Sequence, residues 1–473
     1  MKEIHIKEGP FLKTENKTNN IMNNLLIALI PIILYSFYKN GIVPYINGKS
    51  TIYQMLLPLI MIFVSVFVTF FTEYLYGILI KKEPKNIGYH LKTKYSIFPG
   101  LFLALILPIN TPIWILIVGA LISSLIGKIV FGGLGYNIFN PALIGRLFII
   151  TIFAVTITNN GGYLNSYEVD AISKSTPLSN YATIETIGTY DALVKPYGTL
   201  WNFFFGSIPG ALGETSAFLC ILGFLYLVYK KAIKWRIPIT YIGTVFVMTY
   251  IIGSLNDATL WYPTFQILSG GLFFGAIFMA TDPVTSPTTP IAQVIYGIFL
   301  GILTVVFRYL TNAPEGVLTS ILIMNMFVIM IDRLGAYARF GYKKIAILVL
   351  VQIMLILGLS LYIAETKENK VNVDPNFNII SKETKNDATT YIVTEKGYSS
   401  LIKAEVIIKD SKIEKINILE QNDSFYSKVE ESNYVDKFKN KSEVEDIDTV
   451  SGATITSTAI KKLARNVLND YMG

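Results

Sequence analysis

Long apolar runs separated by short polar segments make up most of the chain. Runs of roughly 20 apolar residues, the length that crosses the hydrocarbon core of a membrane, recur from Asn24 to Ala364 and then stop. We predict eleven membrane segments, with bounds 21–38, 53–80, 97–109, 112–130, 141–158, 211–229, 237–254, 266–280, 290–309, 315–332 and 345–364. The third and eighth are short and end at proline, which favours broken helices facing a protein interior over full spans. The pattern predicts a polytopic α-helical membrane protein.

The last part of the chain has a different pattern. Residues 365–473 contain no long apolar run and are rich in Lys, Glu, Asp and Asn. Three short runs alternate as strands do, at Thr389–Thr394, Ile402–Lys409 and Ile413–Leu419, with a turn at Asp410-Ser411 between the last two. Helical spacing follows over Ile455–Tyr471, where Ile460, Leu463, Val467 and Leu468 share one face. This part therefore predicts a separate α+β domain.

The membrane segments contain an internal repeat. Residues Gly100–Pro112 resemble Gly271–Pro283, and Asn140-Pro-Ala resembles Asn312-Ala-Pro at a similar offset. Each half holds five segments, and an odd number of crossings inverts the second copy. We therefore predict an inverted 5+5 repeat followed by one anchor helix.

The predicted domains follow from these patterns. A membrane domain spans 1–343 and has a long loop at 159–210, an anchor helix spans 344–364, and the C-terminal domain spans 365–473.

The distribution of charge predicts the topology. Only 15% of residues are charged, whereas a soluble globular chain carries about 25%. The net charge of +7 does not indicate a nucleic-acid partner, because the basic residues concentrate in loops on one side, as the positive-inside rule expects. The basic residues on the same side of the membrane as the N-terminus are Lys81, Lys82, Lys85, Lys92, Lys94, Lys128, Arg146, Lys230, Lys231, Lys234, Arg236, Arg333, Arg339, Lys343 and Lys344. Those on the opposite side are Lys39, Lys49, Lys174, Lys195 and Arg308. The N-terminus is predicted inside the cell, and the loop 159–210 and the C-terminal domain outside.

Cysteine and histidine are scarce. The chain has one cysteine, Cys220, and two histidines, His5 and His90. Iron–sulfur clusters need several cysteines or histidines, so neither a cluster nor a haem or other metal site is expected. Any redox chemistry would therefore use an organic cofactor.

A short motif precedes the C-terminal helix. It runs from Asp448 through Ser451, Gly452 and Ala453 to Thr454. Glycine allows the backbone to approach a ligand closely, and a helix N-terminus suits a phosphate. An ordinary helix cap explains the same residues. The same Asp-x-x-Ser-x-x-Thr spacing occurs in the loop 159–210.

The second copy of this spacing consists of Asp170, Ser173 and Thr176. Both copies lie on the same predicted side of the membrane. Ser- and Thr-rich loops often produce such spacing, so the pattern alone is weak.

These residues resemble those of a known family. The C-terminal motif resembles the site at which FMN is joined through its phosphate to threonine in the G subunit of the Rnf electron-transport complex. The membrane part resembles the Rnf D subunit, by the marks Gly132–Ala142, Phe278–Pro287 and the loop with Asp170, Ser173 and Thr176. The chain therefore looks like a D subunit fused to a G-like FMN-binding domain.

The resemblance implies two FMN groups, on Thr176 and Thr454, and a non-covalent flavin within the membrane part. It also implies other Rnf-type subunits, which react with ferredoxin and NAD⁺, a flavin transferase for maturation, and a place in a bacterial cell membrane. One departure stands out: Lys174-Ser175 occupies positions where Gly-Ala is usual. Since the attaching enzyme reads this sequence, the departure bears on Thr176.

Two acidic residues fall within or beside membrane segments, where ionisable groups are functional candidates. Asp282 follows the eighth segment and could cap a helix or make a structural hydrogen bond, contact a cofactor, or couple to an ion. Glu73 lies in the second segment and could simply be paired near a membrane face. Both are candidates for an ion or flavin path.

Two other functions stay open at this point. The first is a component of a Na⁺-translocating NADH:quinone oxidoreductase, which the partner subunits would distinguish. The second is an inverted-repeat transporter or channel with a sensory outer domain, which would carry no bound flavin.

Overall fold

The computed structural model divides the chain into two compact units, Met1–Glu368 and Asn369–Gly473. It describes residues 18–80, 82, 88, 91, 95–162, 176–182, 184, 186–214, 216–311, 316–337, 343–367, 377–385, 388–397, 400–421, 426–442, 444, 447–450 and 453–472.

The first unit is helical in the residues that the structure describes. Its α-helices are α1 Thr18–Phe37, α2 Val43–Ile46, α3 Ile52–Leu79, α4 Ile97–Ile106, α5 Ile113–Ser124, α6 Pro141–Asn159, α7 Pro177–Ala182, α8 Tyr190–Leu193, α9 Leu200–Phe205, α10 Ala217–Tyr229, α11 Arg236–Ser254, α12 Trp261–Leu268, α13 Leu272–Phe274, α14 Pro290–Leu310, α15 Gly316–Tyr337 and α16 Lys343–Thr366. Turns of π-helix join α1 to α2 at Tyr38–Ile42 and extend α5 and α13 at Leu125–Ile129 and Gly275–Met279. A 3₁₀ turn, Lys195–Tyr197, lies between α8 and α9.

Each predicted membrane segment coincides with a helix or a helix pair. Six helices are long and apolar enough to cross a membrane, and one bent pair and four shorter apolar helices account for the rest. The eighth segment is the bent pair, broken between Leu268 and Leu272 with an angle of 63°. Helix α4, the third segment, has 10 residues, which at 1.5 Å per residue reach about half of the hydrocarbon thickness. The prediction that these two segments are not regular spans is confirmed.

The two halves of the membrane unit share an order of packing. Helix α3 packs against α4 and α5, and α5 packs against α6. In the second half, α11 packs against α12 and α14, and α14 packs against α15. Helices α1 and α10, which open the halves, contact each other. The repeated order is what a 5+5 repeat predicts.

The second unit is an antiparallel sheet with a long helix. Its strands are β1 Asn378–Lys385, β2 Ala388–Lys396, β3 Leu401–Lys409 and β4 Lys412–Glu420, paired in the order β1-β2-β3-β4. They are followed by α17 Tyr426–Glu431, a 3₁₀ turn at Tyr434–Phe438 and α18 Thr454–Met472. Alternate residues of β2 and β3 are buried, and the apolar face of α18 completes their core. The α+β prediction is confirmed, with β1 added.

Candidate functional site

Thr176 stands immediately before α7 in the membrane unit. Its Oγ1 accepts the backbone N–H of Ser179 at 3.1 Å and lies 2.7 Å from the Ser179 hydroxyl oxygen. Threonine at the cap and Pro177 at the first helical position are the residue types that start a helix. The side chain is only 6% exposed. Asp170 and Ser173, the other residues of this motif, lie outside the described residues.

A buried network of tyrosine hydroxyls holds α7 in place. Tyr262 on α12 donates to the hydroxyl of Tyr181 on α7 at 3.2 Å, and its hydroxyl oxygen lies 2.7 Å from that of Tyr309 on α14. All three side chains are buried. Buried phenols that bond to one another keep their polar groups satisfied. The segment after Thr176 is thereby fixed to two membrane helices.

Arg308 lies beside this network at the end of α14. Its guanidinium is buried and donates to the carbonyl oxygens of Gln266, at 2.5 Å, and Ser269, at 3.1 Å. These carbonyls belong to the break in the eighth segment, where Gly270 has a φ of +67° and Leu178 of α7 packs against its backbone. A side chain at position 270 would be strained and would collide with Leu178. The arginine therefore donates hydrogen bonds to the carbonyl groups at the break in the helix and supports the backbone against which α7 packs. The charge pattern of the sequence predicts this arginine in a loop instead.

A buried ion pair lies at the opposite end of the membrane unit. Glu73 on α3 pairs with Lys128, which the π-turn after α5 carries, and the Ser96 hydroxyl donates to Glu73 at 2.6 Å. Both charged side chains are buried. Removing one partner of such a pair costs about 3–5 kcal/mol, because the other charge stays buried. The pairing that the sequence left open for Glu73 is what the structure contains.

Asp282 closes a turn directly after the eighth segment. Its Oδ2 accepts the backbone N–H groups of Val284 at 3.2 Å and Thr285 at 3.0 Å, and the Thr285 hydroxyl at 3.0 Å. Lys234 donates to the Ser286 hydroxyl in the same loop at 2.9 Å. Of the roles open to Asp282, this geometry favours a structural hydrogen bond.

Asn325 joins the two membrane-domain marks that lie far apart in sequence. Its Oδ1 accepts the backbone N–H of Asn140 at 3.1 Å, and its Nδ2 donates to the Thr285 carbonyl at 3.0 Å. The segment before Asn140 turns on Gly132, Gly133 and Gly135, which all have positive φ. Sequence reasoning missed Asn325, although an amide in the middle of an apolar segment is an available signal.

A small cavity lies between these groups. It encloses about 40 Å³ and is lined by Met22, Leu25, Tyr95, Phe98, Pro99, Phe102, Lys128, Leu134, Asn137, Asn140, Pro141 and Asp282. That volume holds one or a few water molecules. The cavity brings Asp282 close to the Glu73–Lys128 pair, which the sequence could not show.

The loop before α18 in the second unit is fixed by residues of the helix itself. Helix α18 begins at Thr454, and Ala453 before it is buried. The Ser457 hydroxyl accepts the Val450 N–H at 3.0 Å and donates to the Ala453 carbonyl at 2.9 Å. Lys461 donates to the Ile447 carbonyl at 3.0 Å. Ser451 and Gly452, and the side chain of Thr454, lie outside the described residues.

Asp448, the first residue of this motif, lies close to a buried phenol. Burial, helped by the negative charge of Asp448, raises the pKa of Tyr434 to about 12. Tyr434 is fully buried in the core of the unit. The motif therefore lies near the 3₁₀ turn Tyr434–Phe438 as well as at the start of α18.

In the part of the chain that the structure describes, there is no group of three or more His, Cys, Asp or Glu residues that could hold a metal ion. Cys220 is buried.

Comparisons with known proteins identify both parts of the chain. Residues 5–341 match the NQR2, RnfD, RnfE family, and residues 397–469 match the FMN-binding domain. The D subunit of the proton-translocating ferredoxin:NAD⁺ oxidoreductase complex of Clostridium ljungdahlii is 33% identical over 72% of this chain and 96% of its own length.

Two further relatives are also named as D subunits of ion-translocating complexes. The D subunit of the Na⁺-translocating ferredoxin:NAD⁺ oxidoreductase complex of Acetobacterium woodii is 32% identical over 72% of this chain and 96% of its own length. The D subunit of the ion-translocating oxidoreductase complex of Escherichia coli is 26% identical over 72% of this chain and 99% of its own length. The chain thus belongs to the NQR2, RnfD, RnfE family of membrane proteins and carries an FMN-binding domain at its C-terminus.

Proposed function

We propose that this chain is an electron-transferring flavoprotein component of an ion-translocating ferredoxin:NAD⁺ oxidoreductase complex of the Rnf type. The observation that carries the proposal is the presence in one polypeptide of an RnfD-type membrane domain and an FMN-binding domain. Two relatives above 30% identity are named as D subunits of such complexes, one proton-translocating and one Na⁺-translocating.

FMN is joined through its phosphate to Thr454 and to Thr176 in this proposal. Both threonines end an Asp-x-x-Ser-x-x-Thr motif, and each stands at the beginning of a helix. The N-terminus of the long helix α18 suits a phosphate, because the helix dipole gives that end a partial positive charge. Bound FMN supplies one- and two-electron transfer. The two threonines are tethers, and the residues around them position the flavin.

The surroundings of Thr176 fit this role. An oxygen esterified to phosphate can still accept the N–H of Ser179, and the Ser179 hydroxyl, now 2.7 Å away, can turn to donate to it. The tyrosine network then keeps the tether at a fixed place beside Arg308 and the broken eighth segment.

A non-covalent flavin within the membrane domain belongs to the proposal, without an assigned place. Water or a small cation fits the cavity near Asp282. Glu73 and Asp282 are retained as candidates for an ion or flavin path, and no step is assigned to them.

The partners follow from what the chain contains. With a single cysteine it cannot supply the ligands of an iron–sulfur cluster. Ferredoxin and NAD⁺ are accordingly assigned to other Rnf-type subunits, and a flavin transferase is needed for maturation.

The proposed location is the bacterial cell membrane, with the N-terminus in the cytoplasm and the C-terminal domain outside. The support is the excess of Lys and Arg in the loops on one side. Lys128, Arg146 and Arg308 are buried and do not belong in that count. The remaining loop residues keep the bias.

A Na⁺-translocating NADH:quinone oxidoreductase is the second candidate, because the matched family includes NQR2. Purification of the complex with its native partners distinguishes the two. Reduction of NAD⁺ by ferredoxin supports the Rnf-type complex, and quinone reduction by NADH supports the other.

The test of the proposal uses the whole chain, coexpressed with a flavin transferase and run on a denaturing gel. Yellow-green flavin fluorescence that migrates with the chain is the expected result. A flavin-free chain would favour the transporter or channel alternative.

A further inference from the structure

Helix α16 lies outside the family domain in sequence. The family match ends at residue 341, and α16 begins at Lys343. The RnfD-type relatives are covered over 96–99% of their own length by 72% of this chain. The remainder of the chain therefore has no counterpart in them, yet its first helix is inserted into the family domain by specific contacts.

Two polar contacts fix α16 along its length. Gln352 is fully buried, and its Nε2 donates to the Ile295 carbonyl on α14 at 2.9 Å. Near the C-terminal end of α16, the Ala364 carbonyl accepts a hydrogen bond at 3.2 Å from the side chain of Asn256, which lies just after α11. The two points on α16 are about 18 Å apart at 1.5 Å per residue. Contacts so far apart set both the position and the rotation of the helix.

The two faces of α16 differ accordingly. One stripe at helical spacing packs against the membrane unit and comprises Leu348, Gln352, Ile356, Leu359, Ser360 and Ile363. The opposite face is exposed and apolar, with Ile347, Leu350, Met354 and Leu361 each more than half exposed. A side-chain amide facing lipid would lack partners, so Gln352 is suited to a docked helix and not to a free anchor.

We propose that α11 and α14 form an anchor groove that α16 fills from within the same chain. Each membrane domain is then joined to its own FMN-binding domain, and the groove is closed to any second single-span helix. The groove is an interface between a membrane domain and an anchor helix that the fusion has made intramolecular. This inference goes beyond the proposed function, since it does not depend on flavin being attached to either threonine.

The test places a diazirine-bearing aliphatic residue at position 356 of the full chain. Two preparations, one isotopically light and one heavy, are mixed in detergent, reconstituted into a single membrane, irradiated and digested. The expected cross-links join α16 peptides to peptides of α11 or α14 and contain only light–light or heavy–heavy pairs. Mixed pairs would overturn the proposal by showing that the helix docks on another copy. Cross-links to lipid alone would also overturn it.

Met354 provides the matched control, because it lies on the exposed face two residues away. The same photoreactive residue there should give no cross-link to α11 or α14, and an equal yield from both positions would contradict the assigned face. The Gln352→Leu substitution keeps the helix apolar and removes its amide. It should lower the yield from position 356 several-fold, and an unchanged yield would contradict the role given to Gln352.

Discussion

Thr176 and Thr454 end the same short motif but are supported in different ways. Thr176 precedes a helix of six residues that is held by hydroxyl contacts to α12 and α14. Thr454 opens a helix of 19 residues whose apolar face belongs to the core of its own unit. The first position depends on residues far away in the chain, and the second on its own helix. The same attachment motif can therefore be positioned either by residues that are distant in the sequence or by the helix that follows it.

The difference extends to access for a modifying enzyme. Thr176 is buried, with only 6% of it exposed, and its hydroxyl takes part in capping α7. An enzyme that attaches FMN must therefore act before this segment packs or when it opens. The departure Lys174-Ser175 in the preceding motif adds a second reason to expect slower modification at Thr176 than at Thr454.

The largest expected effect is that of Thr454→Val. The substitution removes the oxygen that forms the phosphodiester, so the C-terminal unit should lose its covalent flavin completely. Flavin absorbance of the denatured protein, relative to protein content, should fall by about one FMN per chain. Thr458→Val, one turn further along α18, is the control and should keep the full flavin content. Retention of both flavins in Thr454→Val would mean that the tether lies elsewhere.

The Thr176→Val substitution should remove the other flavin and leave Thr454 modified. It also removes the cap of α7, which costs about 1 kcal/mol. Ser179→Ala is the control, because it removes the hydroxyl that contacts Thr176 but keeps both the backbone cap and the tether. The in-gel fluorescence of Ser179→Ala should match that of the native chain. Equal loss in both variants would show that packing around Thr176, and not the tether, decides flavin content.

The Tyr262→Phe substitution should change FMN attachment at Thr176 and leave attachment at Thr454 unchanged. It removes the central hydroxyl of the network and leaves buried phenols with fewer partners, at a cost of about 1–3 kcal/mol. We expect a lower melting temperature in detergent and a several-fold faster attachment of FMN at Thr176 by added transferase, with the rate at Thr454 unchanged. Tyr250→Phe, at a half-exposed position, should change neither. A faster rate at both threonines would contradict the assigned role.

The smallest effect concerns the ion pair between Lys382 on β1 and Asp470 on α18, 2.8 Å apart. Lys382 holds the pKa of Asp470 below its usual range, so the contribution of the pair is present at neutral pH and is lost as the pH falls through that lowered value. Because both groups are partly exposed, Asp470→Asn should lower the free energy of unfolding of this unit by less than about 1 kcal/mol.

The check is denaturant unfolding followed across pH. The difference between the native chain and Asp470→Asn should shrink below the ordinary aspartate pKa of about 3.9 and disappear below the lowered pKa of Asp470. A difference that grows in acid would have the wrong sign for this pair. FMN attachment at Thr454 should be the same in both proteins.

Local periodicity explains which elements the sequence predicted. The apolar stripe Ile460, Leu463, Val467 and Leu468 is buried in α18, and Asp410 and Ser411 adopt the positive φ of a tight hairpin turn. Strand β1 was missed because it is an edge strand rich in polar residues, so it lacks a clear apolar alternation. Hydrophobic periodicity along the sequence indicates which residues face the domain's own core, and it is weaker in an edge strand such as β1.

The sites were harder to predict than the elements. The charge pattern places Arg308 and Lys128 in loops, yet both side chains are buried. Arg308 donates to carbonyl groups of the broken eighth segment, and Lys128 pairs with the carboxylate of Glu73. These partners lie on other helices. Asn325 bridges two loops that are far apart in sequence. Such partners are set by tertiary packing, and spacing along a single sequence does not contain that information.

The most direct test of the account is peptide mass spectrometry of the full chain after coexpression with a flavin transferase. Both the peptide with Thr454 and the peptide with Thr176 should carry the mass of FMN less water, with higher occupancy at Thr454. A Thr454 peptide found only in its unmodified form would contradict the central claim, and a wholly unmodified Thr176 peptide would reduce the chain to a single tether.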